Sequence, residues 1–209
     1  MTLWVDAADA STFTLTGALV EQWNDKSGAG HHLTKSTFGG FDRRPTKTGN
    51  SVVYVTDGNN NNNKGLVSTE AFLGLVGNAY SYYVCWKRTA DNDDYVIGNT
   101  GAIYAYLQYT LDRWIVGDNS AVVAMAAGAA KVKSARSDGL TELVRQTNLT
   151  AHASTAAAAG FSGATIGCSN TYAGPLAGTI YEVMCYSARL TDAQNLQNVS
   201  YLMNRWGVA

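Results

Sequence analysis

Charge is what this chain has least of. Only 15% of its 209 residues are Asp, Glu, Lys or Arg, against about 25% in an ordinary globular domain, and the formal net charge is −1. So balanced a chain creates no field that would steer it to nucleic acid or to anionic lipid. Proline occurs only at Pro45 and Pro175, and no proline-rich linker divides the sequence. The three cysteines, Cys85, Cys168 and Cys185, are odd in number and irregular in spacing, which excludes a disulfide framework. Buried free thiols are expected, with a Cys168–Cys185 bridge left open. Histidine is nearly absent. His31 and His32 are neighbours, so on a strand they point to opposite faces, and His152 stands alone; a histidine-based zinc site is not expected.

Long apolar runs are missing too. None approaches the roughly 18 residues of a membrane span, and MTLWVDAADA has neither the basic region nor the apolar core of a signal peptide. The expectation is a chain made in a cytoplasm and kept reduced, with the sequons at Asn148 and Asn198 coincidental. Its length suits a single domain, residues 1–209, which can bury roughly 70% of its unfolded surface and needs no disulfide or metal for stability.

What is present is a succession of short β-type runs. Residues rich in Val, Ile, Tyr and Trp recur between Gly, Asn and Asp: Leu3–Val5, Val20–Trp23, Val52–Thr56, Tyr80–Lys87, Tyr95–Ile97, Ile103–Tyr109, Trp114–Val116, Val122–Ala126, Glu142–Gln146, Thr165–Cys168 and Thr179–Tyr186. Ile103 to Tyr109 alternates, with Tyr104 and Tyr106 opposing Ile103, Ala105 and Leu107. The run Asp57-Gly58 followed by Asn59–Asn63 reads as an exposed loop, since Asn tolerates left-handed backbone and bonds to its own chain. Ala151–Gly163 is small and mostly uncharged, equally a long surface loop or a strand with little grip.

The C-terminus breaks the pattern. Thr191 and Gln194 are spaced as a capping box. Leu196, Val199, Met203 and Trp206 fall on one apolar stripe, Asp192 and Arg205 complement the helix ends, and Gly207 stands where a left-handed residue closes a helix. One amphipathic helix over Asp192–Trp206 follows a buried strand. Many short strands and one terminal helix predict an all-β, antiparallel two-sheet jelly-roll sandwich.

The ordered motifs LWVDAADA, WNDKSGAGHHL, Pro45, VVYVTDG and the closing GTIYEVMCYSARLTDAQNLQNVSYLMNRWG resemble the laminin-G-like, concanavalin A-like jelly-roll domains, in particular those of bacteriophage virion proteins and bacterial surface proteins. The resemblance runs end to end, although Tyr80 to Cys168 matches only as generic strands. It implies a sandwich with one concave face, with Trp4, Trp23 and Trp206 mostly buried in the core. Domains of this fold variously bind glycans or proteins, carry calcium at the rim, or hydrolyse polysaccharides, so the site and not the fold must decide.

The chemistry-bearing residues narrow that choice. Glycoside hydrolysis needs two carboxylates flanking the bond, and hydrolases of this fold carry Glu–x–Asp–x–x–Glu or a close variant on one strand. Here Glu21, Glu70, Glu142 and Glu182 are widely separated, so no catalytic residue is assigned. Glu182 is expected to bond a nearby loop or the N-terminal motif. Asp6, Asp9 and Asp25 are expected to bond local backbone and fix turns. Calcium is the one cofactor left open: Asp57, Asn59, Asp93 and Asp94 offer oxygen ligands, but neither loop has the spacing of a known site, and solvated turns are the favoured reading. Among the aromatics, Tyr104, Tyr106 and Trp114 are the candidates to meet a glycan or a protein partner.

These readings converge on a non-enzymatic bacteriophage virion protein, a capsid decoration or small tail component using the sandwich as a docking platform. It would be synthesised in the host cytoplasm and carried in the virion. Its partners would be other virion proteins and copies of itself, a trimer being one solution. A glycan-binding module attaching the virion to the host surface is the alternative, and a polysaccharide hydrolase a distant third.

Overall fold

The computed structural model describes residues 1–35, 42–55, 64–73, 78–89, 94–98, 105–108, 113–116, 119–122, 128–139, 141–152, 164–168 and 176–209. Along the chain the strands are β1 (Leu3–Asp6), β2 (Phe13–Thr16), β3 (Leu19–Trp23), β4 (Leu33–Lys35), β5 (Thr46–Thr48), β6 (Ser51–Tyr54), β7 (Leu66–Ser68), β8 (Tyr80–Arg88), β9 (Asp94–Gly98), β10 (Ala105–Gln108), β11 (Arg113–Val116), β12 (Asn119–Val122), β13 (Ala130–Ser137), β14 (Leu143–Thr147), β15 (Thr150–Ala151), β16 (Thr165–Ile166) and β17 (Gly178–Tyr186). Helix α1 (Asp192–Trp206) closes the chain. Every strand pairing among the described residues is antiparallel. The fold is an all-β jelly-roll sandwich, with one α-helix among the described residues, at the C-terminus.

One sheet runs β1–β17–β8–β13–β14–β15 and the other β2–β3–β4–β7–β16–β9–β10–β11–β12, with β5 and β6 bridging them. Strand alternation sorts the side chains. Leu3 and Val5 of β1, Tyr80, Tyr82, Val84 and Trp86 of β8, and Ile180, Val183 and Cys185 of β17 point inward, meeting Trp23, Leu33, Leu66, Ile97 and Ile166 from the opposite sheet. Tyr83, Cys85, Val132 and Met184 leave the other face of the first sheet and meet Val199 and Leu202 of α1. The molecule therefore has two cores, one between the sheets and one under the helix.

The helix forms over the expected span, with both hydrogen bonds of the Thr191–Gln194 capping box made and Gly207 left-handed at φ 62°. Its buried face differs from the expected stripe. Asn195, Val199 and Leu202 are buried, whereas Leu196 is 54% exposed. The helix is rotated so that Asn195 faces the sheet, where it donates to the Gln146 side chain (2.7 Å) and lies 3.4 Å from Ser134 Oγ. Trp23 is fully buried in the inter-sheet core as expected, whereas Trp4 and Trp206 are partly buried and pack against the second core, under the helix.

Several strands sit elsewhere than the pattern placed them. Of the Val122–Ala126 run only Val122, which ends β12, lies among the described residues, and the Glu142–Gln146 run starts one residue later. The Thr165–Cys168 run ends at Ile166, because Gly167 turns to φ 83° and lets the Tyr54 ring lie against its Cα. β2, β4, β5, β7, β13 and β15 were not expected. All three cysteines are buried and free. Among the described residues no helix is long and apolar enough to cross a membrane.

Candidate functional site

The polar residues of the two end motifs converge on one carboxylate. In β17 the register against β8 steps from Ile180↔Trp86 to Glu182↔Cys85, leaving Tyr181 as an extra residue. This β-bulge shifts the alternation by one. Ile180 faces the inter-sheet core, and Glu182 turns to the helix side together with Tyr181. There Glu182 is fully buried. Its Oε1 accepts from Trp4 Nε1 at 2.8 Å and from the Tyr201 hydroxyl at 3.2 Å. Its Oε2 accepts from Trp206 Nε1 at 2.8 Å and lies 3.2 Å from Arg205 Nε. Burial nonetheless holds its carboxyl above the usual value, since four donors do not fully replace bulk water.

Asp6 lies directly across the ladder from Glu182 and is also buried. Its Oδ2 receives Arg205 at 2.7 Å and Lys26 at 3.3 Å, while Oδ1 accepts from the Ala8 amide. Arg205 thus joins the two carboxylates, beyond any part it has at the helix end. Lys26 also pairs with Asp9 at 2.9 Å and covers the Trp4 ring at 4.5 Å from its centroid. Hydrogen bonds from Ser11 and Lys26 draw the Asp9 carboxyl down to about 2. Asp25 fixes the second tryptophan motif as a turn: Oδ1 accepts from the Trp4 and Ser27 amides, and Oδ2 from Ser27 Oγ and the His31 amide. Burial opposes its ionisation, but these donors prevail and its carboxyl stays below the usual value. The expected structural role of Glu182, Asp6, Asp9 and Asp25 is what the geometry displays.

Beside this cluster an open cleft of about 270 Å³ separates β1 and β17 from α1. Trp4, Tyr186 and Tyr201 wall it, Met184 forms its apolar side, and Gln197 and Asn198 line it from the helix. Asn198 Nδ2 donates to the Tyr186 hydroxyl at 3.2 Å. The sequence pattern missed this cleft because its residues come from both ends of the chain. The inner face of β13 and β14 holds a second polar group. Lys133 is fully buried and donates to Thr147 Oγ1, which lies 2.8 Å from His152 Nε2. Burial lowers the Lys133 ammonium to about 7, and His152 is lowered by its own burial and then by the nearby Lys133 and Arg145.

Tyr104, Asp57, Asn59 and Asp93 lie outside the described residues, as do Asn60–Asn63 and 153–163. Asp94 opens β9. Tyr106 pairs with Ile115, and Trp114 with Leu107, on successive rungs of the β10–β11 ladder. Among the described residues no group of three or more His, Cys, Asp or Glu is placed to hold a metal ion.

No family model matches the chain, and no curated protein does. Solved structures do. A GH54 α-L-arabinofuranosidase aligns with a TM-score of 0.67 at 16% identity, covering 88% of this chain and 50% of its own. The Trypanosoma rangeli sialidase in complex with sialic acid aligns with a TM-score of 0.61 at 10% identity, covering 99% of this chain and 33% of its own. The likeness is one of fold. The chain spans about half of the first enzyme and a third of the second.

Proposed function

We propose that this chain is a non-enzymatic docking domain. The observation that carries the reading is the commitment of Glu182. A carboxylate opposite another carboxylate, one of them held above its usual value, is an arrangement that glycosidases use. Here both are buried, Arg205 bridges them, and two indoles and a phenol take up the oxygens of Glu182. No substrate bond fits between groups so occupied. The pair serves to lock β1, β17 and α1 together.

On the resemblance of the end motifs, the setting is a bacteriophage virion, with the domain acting as a capsid decoration or small tail component among copies of itself and other virion proteins. A second reading, attachment to host-surface glycans, is supported by the aromatic and amide lining of the cleft and by fold neighbours that are glycosidases. The experiment is a paired one. Purified particles are examined by quantitative mass spectrometry for this protein at a fixed copy number, and the purified domain is assayed on host polysaccharide and on a glycan array. The docking reading expects fixed stoichiometry and no hydrolysis. Polysaccharide cleavage abolished by Glu182→Gln would overturn it.

A further inference from the structure

We propose that the cleft between β1, β17 and α1 receives a single pyranose ring; this rests on the glycan-binding reading above. Its volume of about 270 Å³ lies just under the roughly 300–1,000 Å³ of pockets for drug-sized ligands, which suits one ring and not a chain. Among its lining residues the charged group is the α-amino group of Met1. The neighbouring side-chain cations, Lys26 and Arg205, are held by Asp6, Asp9 and Glu182.

A pyranose has an apolar C–H face and a polar rim, and the cleft offers both complements. Trp4, Tyr186 and Tyr201 present aromatic surface beside Met184. Gln197 is exposed on the helix, and Asn198, whose Nδ2 donates to the Tyr186 hydroxyl, lines the cleft beside it with a second amide. The aromatic walls are already in place. Glu182 holds the Trp4 indole and the Tyr201 hydroxyl, so little ordering remains to oppose binding. The buried carboxylate thus acts as a positioning residue for the cleft.

The test titrates the whole chain with the methyl pyranosides of glucose, galactose, mannose and N-acetylglucosamine to about 50 mM, a range that reveals millimolar binding. It follows the Trp4 indole and the Gln197 and Asn198 side-chain amides by NMR, alongside a glycan array. The expected result is a saturable shift of these resonances with at least one sugar. Gln197→Ala should weaken it by about two- to tenfold, the loss of one hydrogen bond, with the unfolding midpoint unchanged. Array binding that persists in Gln197→Ala, with these resonances still, would overturn the cleft while leaving the glycan-binding reading intact. A blank array with no shift from any sugar would overturn both.

Discussion

Replacing Glu182 by alanine should destabilise the fold by about 3 kcal/mol. The magnitude follows from its partners. A hydrogen bond to an ionised acceptor contributes roughly 1.5–3 kcal/mol, and two of the four contacts, from Trp4 and Trp206, are short and half-buried. The contacts from Tyr201 and Arg205 are longer and their donors more than a third exposed or nearly so, and they are discounted accordingly. Against the loss stands relief from burying a charge whose carboxyl is held above its usual value. Glu182→Gln separates the two effects. It keeps the shape and one acceptor, but its amide nitrogen must face an indole N–H, so a loss of about 1–2 kcal/mol is expected. Urea unfolding followed by tryptophan fluorescence reads both, with the midpoint moving and the slope constant. The proton linkage gives a second signature. Because the folded state holds this proton more tightly than the unfolded chain, stability falls as pH rises from the ordinary carboxylate value of 4.5 to the raised one. That decline should vanish in Glu182→Gln. An alanine variant within about 1 kcal/mol of the parent, or a glutamine variant more stable than it, would refute the reasoning.

Other positions test the same physics. Lys133 is lowered by burial to about 7, so the unfolded chain binds a proton that the folded one releases, and stability should rise with pH from about 7 towards the ordinary lysine value. Lys133→Met should flatten that rise and stabilise the protein at neutral pH; an unchanged pH profile in urea unfolding would contradict it. Gly167→Ala should cost at least about 2 kcal/mol, since a Cβ would lie 2.2 Å from the Tyr54 ring and φ is +83°; a calorimetric midpoint equal to the parent's would exclude the clash. Thr191→Ala should lose about 1 kcal/mol by removing the helix cap, read as the same loss in urea.

The parts of the fold legible in the sequence are those whose local pattern and tertiary role agree. β8 and β17 are apolar and aromatic because both of their faces are covered, one by the opposite sheet and one by α1. The helix could be bounded because Thr191, Gln194 and Gly207 act within one turn of its ends. β13 was illegible for the opposite reason. Its sequence, AKVKSARS, has one large apolar residue, yet Lys133, Ser134, Arg136 and Ser137 are all buried. The groups that make this tolerable are remote in sequence: Thr147 for Lys133, Asn195 for Ser134, and Asp192 with the Leu190 carbonyl for Arg136. No window around β13 contains them. The same applies to Leu196: two stripes one residue apart competed for the buried face, and the winning one contains Asn195, a residue polar in any local window.

The candidate site turned on a single inserted residue. Strict alternation along β17 would have put Glu182 on the face of Ile180, pointing into the inter-sheet core and away from Trp4 and Trp206. The extra residue at Tyr181 changes the parity, so that Val183 and Cys185 resume the inward face and Tyr181, Glu182, Met184 and Tyr186 share the outer one. On that face the acid meets Trp4 from one end of the chain and Tyr201, Arg205 and Trp206 from the other. A bulge leaves no fixed mark in composition or period, so the sequence could point Glu182 to the N-terminal motif but could not name its partners on the helix or the side on which they meet. That parity also ties structure to the proposed function. The one buried glutamate of the closing strand fastens β1 to α1 and sets the walls of the cleft, and what is left for recognition is a surface rich in rings and amides.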